Sequence, residues 1–256
     1  MTTTRLIAER EHHDRQASER WETLTRDDLR FADAEFLDHE TWVRPAVAAM
    51  GPLRGHEVLD YGCGHGMAAV VFARAGADVT AFDLSPGYVS EAEARAQANG
   101  VAVRFAVANA EEPPFADNSF DAVWGNAILH HLDLRRAGAE LHRVLKPGGV
   151  AVFCEPWGGN PMLSFARRRL PYPGKDRTAD EQPLRKADLQ PLREFFPALT
   201  FEGHQLLGMA GRAVRSRTLS RCLGVVDRGL LAVVPPLRNW CRYAVIKMRK
   251  TRIEPN

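Results

Sequence analysis

Short apolar runs alternate with longer segments of helical spacing across the middle of the chain. The first run, Val58-Leu59, has no polar face, which is typical of a strand buried inside a parallel sheet. The pattern predicts strands that end at Asp60 and cover 78–82, 102–107, 121–124 and 150–153, with helices over 65–75, 85–99 and 135–146. This alternation is that of βαβ units, so we expect a doubly wound α/β fold.

The flanking segments predict further elements. Residues 5–50 have helical spacing, and a helical stretch ahead of the first strand would cover the carboxyl edge of the sheet. Towards the carboxyl terminus the pattern predicts a helix at 186–196, a strand at 199–207, a helical segment at 211–234 and a last, antiparallel strand at 243–248. We therefore predict an α/β, Rossmann-like, doubly wound sheet of seven strands, mostly parallel with an antiparallel C-terminal strand.

A glycine-rich turn follows the first strand. Gly62, Gly64 and Gly66 stand at every second position, where they let the backbone turn sharply and let a ligand approach without meeting a Cβ. The helix after the turn points free N–H groups and its positive dipole end at that ligand. The turn therefore predicts a nucleotide-type site, but the dinucleotide fingerprint Gly-x-Gly-x-x-Gly would need glycine where the chain has Met67.

Polar residues at the ends of the second and fourth strands belong to the same prediction. Asp83 ends the second strand, where a carboxylate can accept hydrogen bonds from both hydroxyl groups of a ribose. Asn126 and Ala127 follow the fourth strand, at the point where its carboxyl end opens onto the ligand crevice. Glycine turn and strand ends together indicate a bound nucleoside.

The pattern Asp-x-Gly-x-Gly-x-Gly from Asp60 resembles motif I of the class I S-adenosylmethionine-dependent methyltransferases. The resemblance extends over residues 56–156, through the run that begins at Asn109 and the Leu-Lys-Pro-Gly-Gly turn at 145–149, and is to the small-molecule, "methyltransferase type 11"-like members. In the family, aspartate usually stands at the position of Asn109 and receives the adenine amino group. The resemblance implies S-adenosylmethionine as cofactor, held by Asp60, Gly62, Cys63, Gly64, Gly66, Asp83, Leu84, Asn109, Ala110, Glu111, Asn126, Ala127 and His131.

The resemblance also implies that three segments of a single domain have different roles. Residues 1–50 would form an N-terminal helical cover and residues 51–156 the cofactor-binding core. Residues 157–256 would complete the sheet and add an acceptor-side loop and a helical insertion. Because the cofactor carries an activated methyl group, the protein mainly has to position a nucleophile, and a general base helps if the acceptor is a hydroxyl or an acidic carbon. The candidates for that base are His13, His131 and Glu155. No carboxylate or cysteine cluster accompanies His130-His131 in the sequence, so no metal site is predicted.

Charge is unevenly distributed along the chain. The net charge is +2, but eleven basic and two acidic residues follow from His204 onward, so this part carries +9 and the first 203 residues about −7. The four cysteines have no paired or metal-like spacing, which is typical of reduced thiols in a cytoplasmic protein. We also expect no signal peptide, because residues 1–10 lack an apolar core, and no membrane span.

Three functions remain open at this point. The first is methyl transfer to a small molecule such as a natural product or an anionic or amphipathic compound. The second is a peripheral membrane methyltransferase for a lipid or quinone, with residues 211–240 in the bilayer interface. The third is a protein that retains the cofactor without transferring methyl, such as a pericyclic catalyst. A nucleic-acid acceptor is not expected, because Gly125-Asn126-Ala127-Ile128 replaces the Asn/Asp-Pro-Pro-aromatic motif of base-amino methyltransferases and no Pro-Cys occurs. Oligomeric state cannot be predicted from these features.

Overall fold

One sheet organises the computed structural model, which describes residues 3–169, 182–208 and 217–252. Its strands are β1 (Glu57–Tyr61), β2 (Asp78–Asp83), β3 (Arg104–Val107), β4 (Phe120–Asn126), β5 (Leu145–Pro156), β6 (Thr200–His204) and β7 (Tyr243–Arg249). They lie in the order β3-β2-β1-β4-β5-β7-β6. Strands β1 to β5 pair in parallel, and β7 pairs antiparallel with both β5 and β6. The predicted seven-stranded, mostly parallel sheet with an antiparallel C-terminal strand is confirmed.

Helices pack on both faces of this sheet. They are α1 (Thr3–Trp21), α2 (Asp33–Leu37), α3 (Val43–Ala49), α4 (Met67–Arg74), α5 (Pro86–Ala98), α6 (Leu134–Val144), α7 (Pro161–Arg169), α8 (Gln190–Phe195) and α9 (Arg217–Val233). One core layer joins the sheet to α6 and α8, and the other joins it to α3, α4 and α5. Both faces of the central strands are therefore buried, which explains their continuous apolar runs. Within the described residues, no helix combines the length and apolar character needed to cross a membrane.

Among the element boundaries that differ from the sequence prediction, two involve glycine-rich segments. Helix α4 begins at Met67 instead of residue 65, because Gly66 adopts a φ of +80°, which a right-handed helix cannot include. Strand β5 begins at Leu145 instead of residue 150, and its register with β4 is irregular before Ala122 pairs with Val150. The Pro-Gly-Gly stretch is thus a bulge within a long strand. Of the predicted segment 211–234, residues 211–216 lie outside the described part of the chain, as do 170–181 of the predicted acceptor-side loop.

Helix α1 lies across the carboxyl edge of the sheet. Arg20 forms an ion pair with the buried Glu91 of α5, with 3.0 Å between Nη2 and Oε1. Near the other end of α1, Arg5 donates a hydrogen bond to the backbone oxygen of His131 at 2.9 Å. These two contacts fix α1 across the ends of β1, β2 and β4. One face of α1 therefore faces the space into which those strands open.

Candidate active site

A cavity of about 260 Å³ lies between α1 and the carboxyl ends of β1, β2 and β4. This volume is just below the range for small-molecule sites, roughly 300–1,000 Å³. Its wall includes twelve of the residues that the sequence singles out: His13, Asp60, Gly62, Cys63, Gly64, Asp83, Leu84, Asn109, Ala110, Asn126, Ala127 and His131. Gly66, Glu111 and Glu155 are not part of the wall. The fold therefore brings most of the predicted residues into one place.

The three glycines of the turn have three different surroundings. A Cβ on Gly62 would lie 2.1 Å from Cδ1 of Ile128, so this glycine allows close packing against the segment after β4. A Cβ on Gly66 would lie 2.6 Å from Cβ of Ala92, so this glycine lets α4 approach α5. Gly64 has a φ of +49° and nothing within 4 Å of its Cβ position. Only Gly64 of the three thus leaves open space. Gly66 has a packing role, and its contact with the ligand stays a prediction.

Asp83 ties the glycine turn to the end of β2. Its Oδ2 accepts a hydrogen bond from the Gly64 N–H at 2.9 Å, and its Oδ1 accepts one from the Ser85 N–H at 3.0 Å. Burial raises the pKa of Asp83, although these backbone N–H groups and the charge of His13 oppose the shift. Each oxygen keeps a lone pair for a ligand hydroxyl. The carboxylate can therefore shape the turn and bind a ligand at the same time.

Asp60 is a buried carboxyl at the end of β1. Its side chain is hydrogen-bonded to the backbone N–H of Ala69, and Oδ2 has no hydrogen-bond partner within the described residues. Burial raises the pKa of Asp60 to about 7, and the negative charge of Asp83 adds to the shift. A buried carboxyl with an unpartnered oxygen is costly unless a ligand completes it. The cavity is therefore suited to a positively charged or hydrogen-bond-donating ligand next to Asp60.

Glu111 and Glu155 are structural carboxylates in this fold. Glu111 accepts a hydrogen bond from the Asp133 N–H at 2.7 Å, close to the start of α6. Glu155 is fully buried and accepts hydrogen bonds from the N–H groups of Ile128 and Leu129 at 3.0 and 2.8 Å. Its other oxygen is 2.7 Å from Nδ1 of His130. Both carboxylates hold the segment after β4, and neither is part of the cavity wall. The cofactor contact of Glu111 and the general base at Glu155 stay predictions.

Asn109 lies in the cavity wall with its side-chain oxygen already engaged. That oxygen accepts a hydrogen bond from the Glu111 N–H at 3.0 Å. The bond closes a tight turn after β3. One lone pair of the oxygen remains for the adenine amino group that the sequence resemblance assigns to this position.

Helix α1 contributes a carboxylate that sequence reasoning missed. Glu9 contacts Nδ1 of His131 directly, and its Oε1 lies 3.7 Å from Nε2 of His13. Burial alone would raise the pKa of Glu9, but the close contacts with the two histidines outweigh burial and hold the pKa well below its usual range. Burial lowers the pKa of His13, but the carboxylates of Glu9 and Asp83 raise it by more, so the pKa lies above its ordinary value. The spacing of Glu9 and His13 on one helix face was visible in the sequence, whereas their contact with His131 was not.

Comparison with known proteins identifies the core. Residues 59–153 match the family model described as "Methyltransferase domain". These residues form a class I S-adenosylmethionine-dependent methyltransferase domain. Over 130 residues the methyltransferase domain region is 39% identical to a demethylmenaquinone methyltransferase of Clavibacter sepedonicus, covering 50% of this chain and 52% of that protein. It is 40% identical over 108 residues to a malonyl-acyl-carrier-protein O-methyltransferase of Pseudescherichia vulneris, covering 42% of this chain and 41% of that protein. The match spans about half the length of these relatives or less.

Solved structures share the fold of the methyltransferase domain. A protein of Pyrococcus horikoshii superposes with a TM-score of 0.57 at 19% identity, covering 88% of this chain and 94% of that one. A phosphoethanolamine N-methyltransferase of Haemonchus contortus, in complex with S-adenosylhomocysteine, gives a TM-score of 0.56 at 19% identity and covers 95% and 60%. The cyclase SpnF gives a TM-score of 0.54 at 24% identity, and the match covers 82% of this chain and 81% of that one. At these identities the likeness shows the fold alone.

The cofactor of this family is S-adenosylmethionine, and the residues present fit it. The unpartnered oxygen of Asp60 suits the positive charge of the cofactor. The open space at Gly64 is where a backbone can approach a bound group closely, and Asp83 lies beside it. These observations come from the geometry of the wall and are independent of the family match.

Proposed function

We propose that this chain is a cytoplasmic S-adenosylmethionine-dependent methyltransferase that acts on a small-molecule acceptor. The observation that carries the proposal is that two carboxyls, the buried Asp60 and the half-buried Asp83, lie in the wall of one cavity together with the open position at Gly64. In bound form the cofactor supplies a methyl group on a positively charged sulfur. The chain's own task is then to hold cofactor and acceptor in line and away from water, and such positioning contributes roughly 7–11 kcal/mol.

The wall residues have distinct roles in this proposal. Asp83 accepts hydrogen bonds from the ribose hydroxyls, and Asn109 accepts one from the adenine amino group. Asp60 provides the negative charge for the methionine end of the cofactor. The remaining wall residues line these contacts: Gly62, Cys63, Gly64, Leu84, Ala110, Asn126, Ala127 and His131.

Calorimetric titration of the full chain with S-adenosylmethionine and with S-adenosylhomocysteine tests the proposal. We expect both to bind, and a tritium-labelled methyl group to pass to at least one compound in a screen of small hydroxyl, amine and acidic-carbon acceptors. Absence of binding would rule the proposal out. Binding without transfer to any acceptor would favour the third function, a protein that retains the cofactor without using its methyl group.

Changing Asp60 to asparagine should have opposite effects on stability and on binding. Since the folded-state pKa of Asp60 is about 7 and its ordinary value is 3.8, the folded state holds a proton that the unfolded state releases, and stability falls as pH rises through this interval. Asp60→Asn removes this loss and should raise the Tm of the ligand-free protein at about pH 8 by about 3 °C or more. The same change should weaken cofactor binding at least about tenfold at that pH, because the positive cofactor loses its counter-charge. Thermal unfolding and calorimetry at about pH 6 and pH 8 measure both effects.

A membrane-resident acceptor is the second candidate, and the outer face of α9 favours it. Val225, Val226 and Val233 are 60%, 53% and 81% exposed, with the exposed Arg228 on the same helix. An amphipathic helix with apolar and basic side chains suits the surface of an anionic bilayer, and one relative is a demethylmenaquinone methyltransferase by name.

Co-sedimentation with phosphatidylglycerol vesicles at low salt tests the membrane candidate. We expect the full chain to pellet with the vesicles. A variant with Val225→Ser, Val226→Ser and Val233→Ser should bind at least about tenfold more weakly, because it lacks the three exposed valines that would be buried in the bilayer interface. Changing the exposed Val107 of β3 to serine is the matched control. If the full chain stays in the supernatant, the acceptor does not require a membrane surface.

A further inference from the structure

Glu9, His13 and His131 form a cluster in the wall of the cavity, named here the Glu9 cluster. Two of its members come from α1 and the third from the segment after β4, so the cluster exists only when α1 covers the site. Glu9 is 6% exposed, and its carboxylate lies between the two imidazoles. The ring centroids of His13 and His131 are 5.7 Å apart. A buried carboxylate shared by two imidazoles is an arrangement that can take up and hold one proton.

The geometry favours a proton site over a metal site. One ligand atom from each member lies within 4.8 Å of the others, a separation that by itself would allow a metal ion. However, Glu9 and His131 contact each other directly. Two ligands of one ion stand apart, because each lies roughly 2.0–2.2 Å from the ion in a different direction. Direct contact between a carboxylate oxygen and an imidazole nitrogen is instead the arrangement of an acid–base ion pair.

We propose that the Glu9 cluster is the proton acceptor of the transfer reaction, and that the acceptor substrate therefore carries a hydroxyl group or another acidic proton. This inference rests on the proposed function and narrows its substrate class. The acceptor oxygen takes the methyl carbon from sulfur, which keeps the electron pair of the broken bond, and the O–H proton passes to an imidazole nitrogen of the cluster. Charge and electrons balance without any further reactant. A neutral amine that keeps its proton until release would not need such a cluster.

Each member has a separate role in this step. Contact with Glu9 at Nδ1 favours the His131 tautomer that carries its proton on Nδ1 and its lone pair on Nε2. Glu9 is thus a positioning residue that orients His131 and balances the charge after proton uptake. His13 lies between Glu9 and Asp83, whose negative charges both favour its protonated form. The proton can therefore be shared between the two rings.

Charged and titratable groups surround the cluster on every side. Arg5 on α1 binds the backbone oxygen of His131, and the ring of Tyr88 on α5 lies 6.0 Å from that of His13. His130 lies 4.1 Å from His131, centroid to centroid, and is itself paired with the buried Glu155. Asp83 completes the set from β2. Carboxylates outnumber the fixed cation Arg5 in this set, so the surroundings favour proton uptake.

The first test measures the protonation of the cluster histidines and does not depend on enzymatic activity. NMR titration of the full chain with isotope-labelled histidine follows each imidazole as pH changes, and the His13→Gln variant assigns its signal. We expect His13 to titrate above its ordinary 6.5, and Glu9→Gln to lower that midpoint by about one unit or more because a buried counter-charge is lost. Glu11→Gln, on the exposed face of the same helix, is the control and should leave the midpoint unchanged. An unchanged midpoint in Glu9→Gln would overturn the inference.

The second test uses tritium-labelled methyl transfer to phenols and hydroquinones on one side and to amines on the other. We expect transfer to the first group, with kcat rising towards alkaline pH. Glu9→Gln and His131→Gln should each lower kcat about 100-fold or more. In Glu9→Gln, a residue with no cofactor contact in the proposed site, cofactor affinity should stay within about twofold of the parent chain. Glu9→Asp should restore part of kcat, and Glu11→Gln should retain all of it.

Three outcomes would overturn the inference while leaving the proposed function intact. They are transfer to amines alone, equal kcat in Glu9→Gln and Glu11→Gln, and loss of activity on chelation with recovery on adding a divalent metal ion. The last would reassign the cluster as a metal site. Failure of the proposed function itself would show differently, as an absence of cofactor binding in the unmodified chain.

Discussion

Replacing Asp83 by alanine is expected to weaken binding of S-adenosylmethionine at least about tenfold, since a loss of about 1.4 kcal/mol suffices for that. Hydrogen bonds to a charged acceptor contribute roughly 1.5–3 kcal/mol each, and the ribose offers two hydroxyl groups to this carboxylate. Asp83 also holds the N–H groups of Gly64 and Ser85, so its loss releases the turn as well. Calorimetric titration of the full chain measures the effect.

The control for this experiment lies on the same strand. Asp78 begins β2 at the edge away from the cavity and forms an exposed ion pair with Arg104. Asp78→Ala removes the same chemical group and should leave cofactor affinity within about twofold, because an exposed pair contributes little to the fold. Asp83→Asn should fall between the alanine variant and the parent chain. Equal affinity in the Asp83 and Asp78 variants would remove Asp83 from the site.

The fold could be predicted because it depends on patterns that are local in sequence. A strand buried on both faces has to be apolar throughout, and Val58-Leu59 shows this without knowledge of its neighbours. Ser85-Pro86 is a helix start of the same local kind, and Ser85 does accept a hydrogen bond from the Tyr88 N–H in the structure. Because parallel strand ends meet at one edge, the position of Asp83 followed from strand order alone.

The parts of the site that could not be predicted depend on contacts between distant segments. Glu9 and His131 are 122 positions apart in the sequence and meet only because α1 crosses the sheet edge. Glu155 looked like a strand-end base, but the backbone turn after β4 needs its carboxylate as a hydrogen-bond acceptor. In both cases the residue type indicated acid–base chemistry, whereas the residue that it contacts could not be predicted from the sequence. The cofactor and acid–base roles that remain are predictions that binding and kinetic measurements will test.

Contacts with distant segments also decide how the glycine turn responds to mutation. Replacing Gly64 or Gly66 by alanine is the same chemical change, but we expect different effects at the two positions. Alanine at Gly64 or at Gly66 has to adopt a left-handed backbone, which costs roughly 1–2 kcal/mol at either position. At Gly66 the new Cβ would also meet Ala92, and such overpacking costs typically about 1–3 kcal/mol more. Gly66→Ala should therefore lower the Tm further than Gly64→Ala, and thermal unfolding of the ligand-free chain measures the difference.

Cofactor binding should rank the two glycine variants in the opposite order. The Cβ of Gly64→Ala enters the open space of the cavity, so we expect its affinity for S-adenosylmethionine to fall at least about tenfold, while the folded Gly66→Ala variant stays within about threefold of the parent chain. Ala92→Gly supplies the matched test, because it removes the nearest atom that the new Cβ of Gly66→Ala would meet, and Ala92 is not part of the cavity wall. It should recover part of the stability lost in Gly66→Ala and none of the affinity lost in Gly64→Ala. If Gly64→Ala binds the cofactor normally, the space above the turn is not where the cofactor lies, and the proposed site has to be moved.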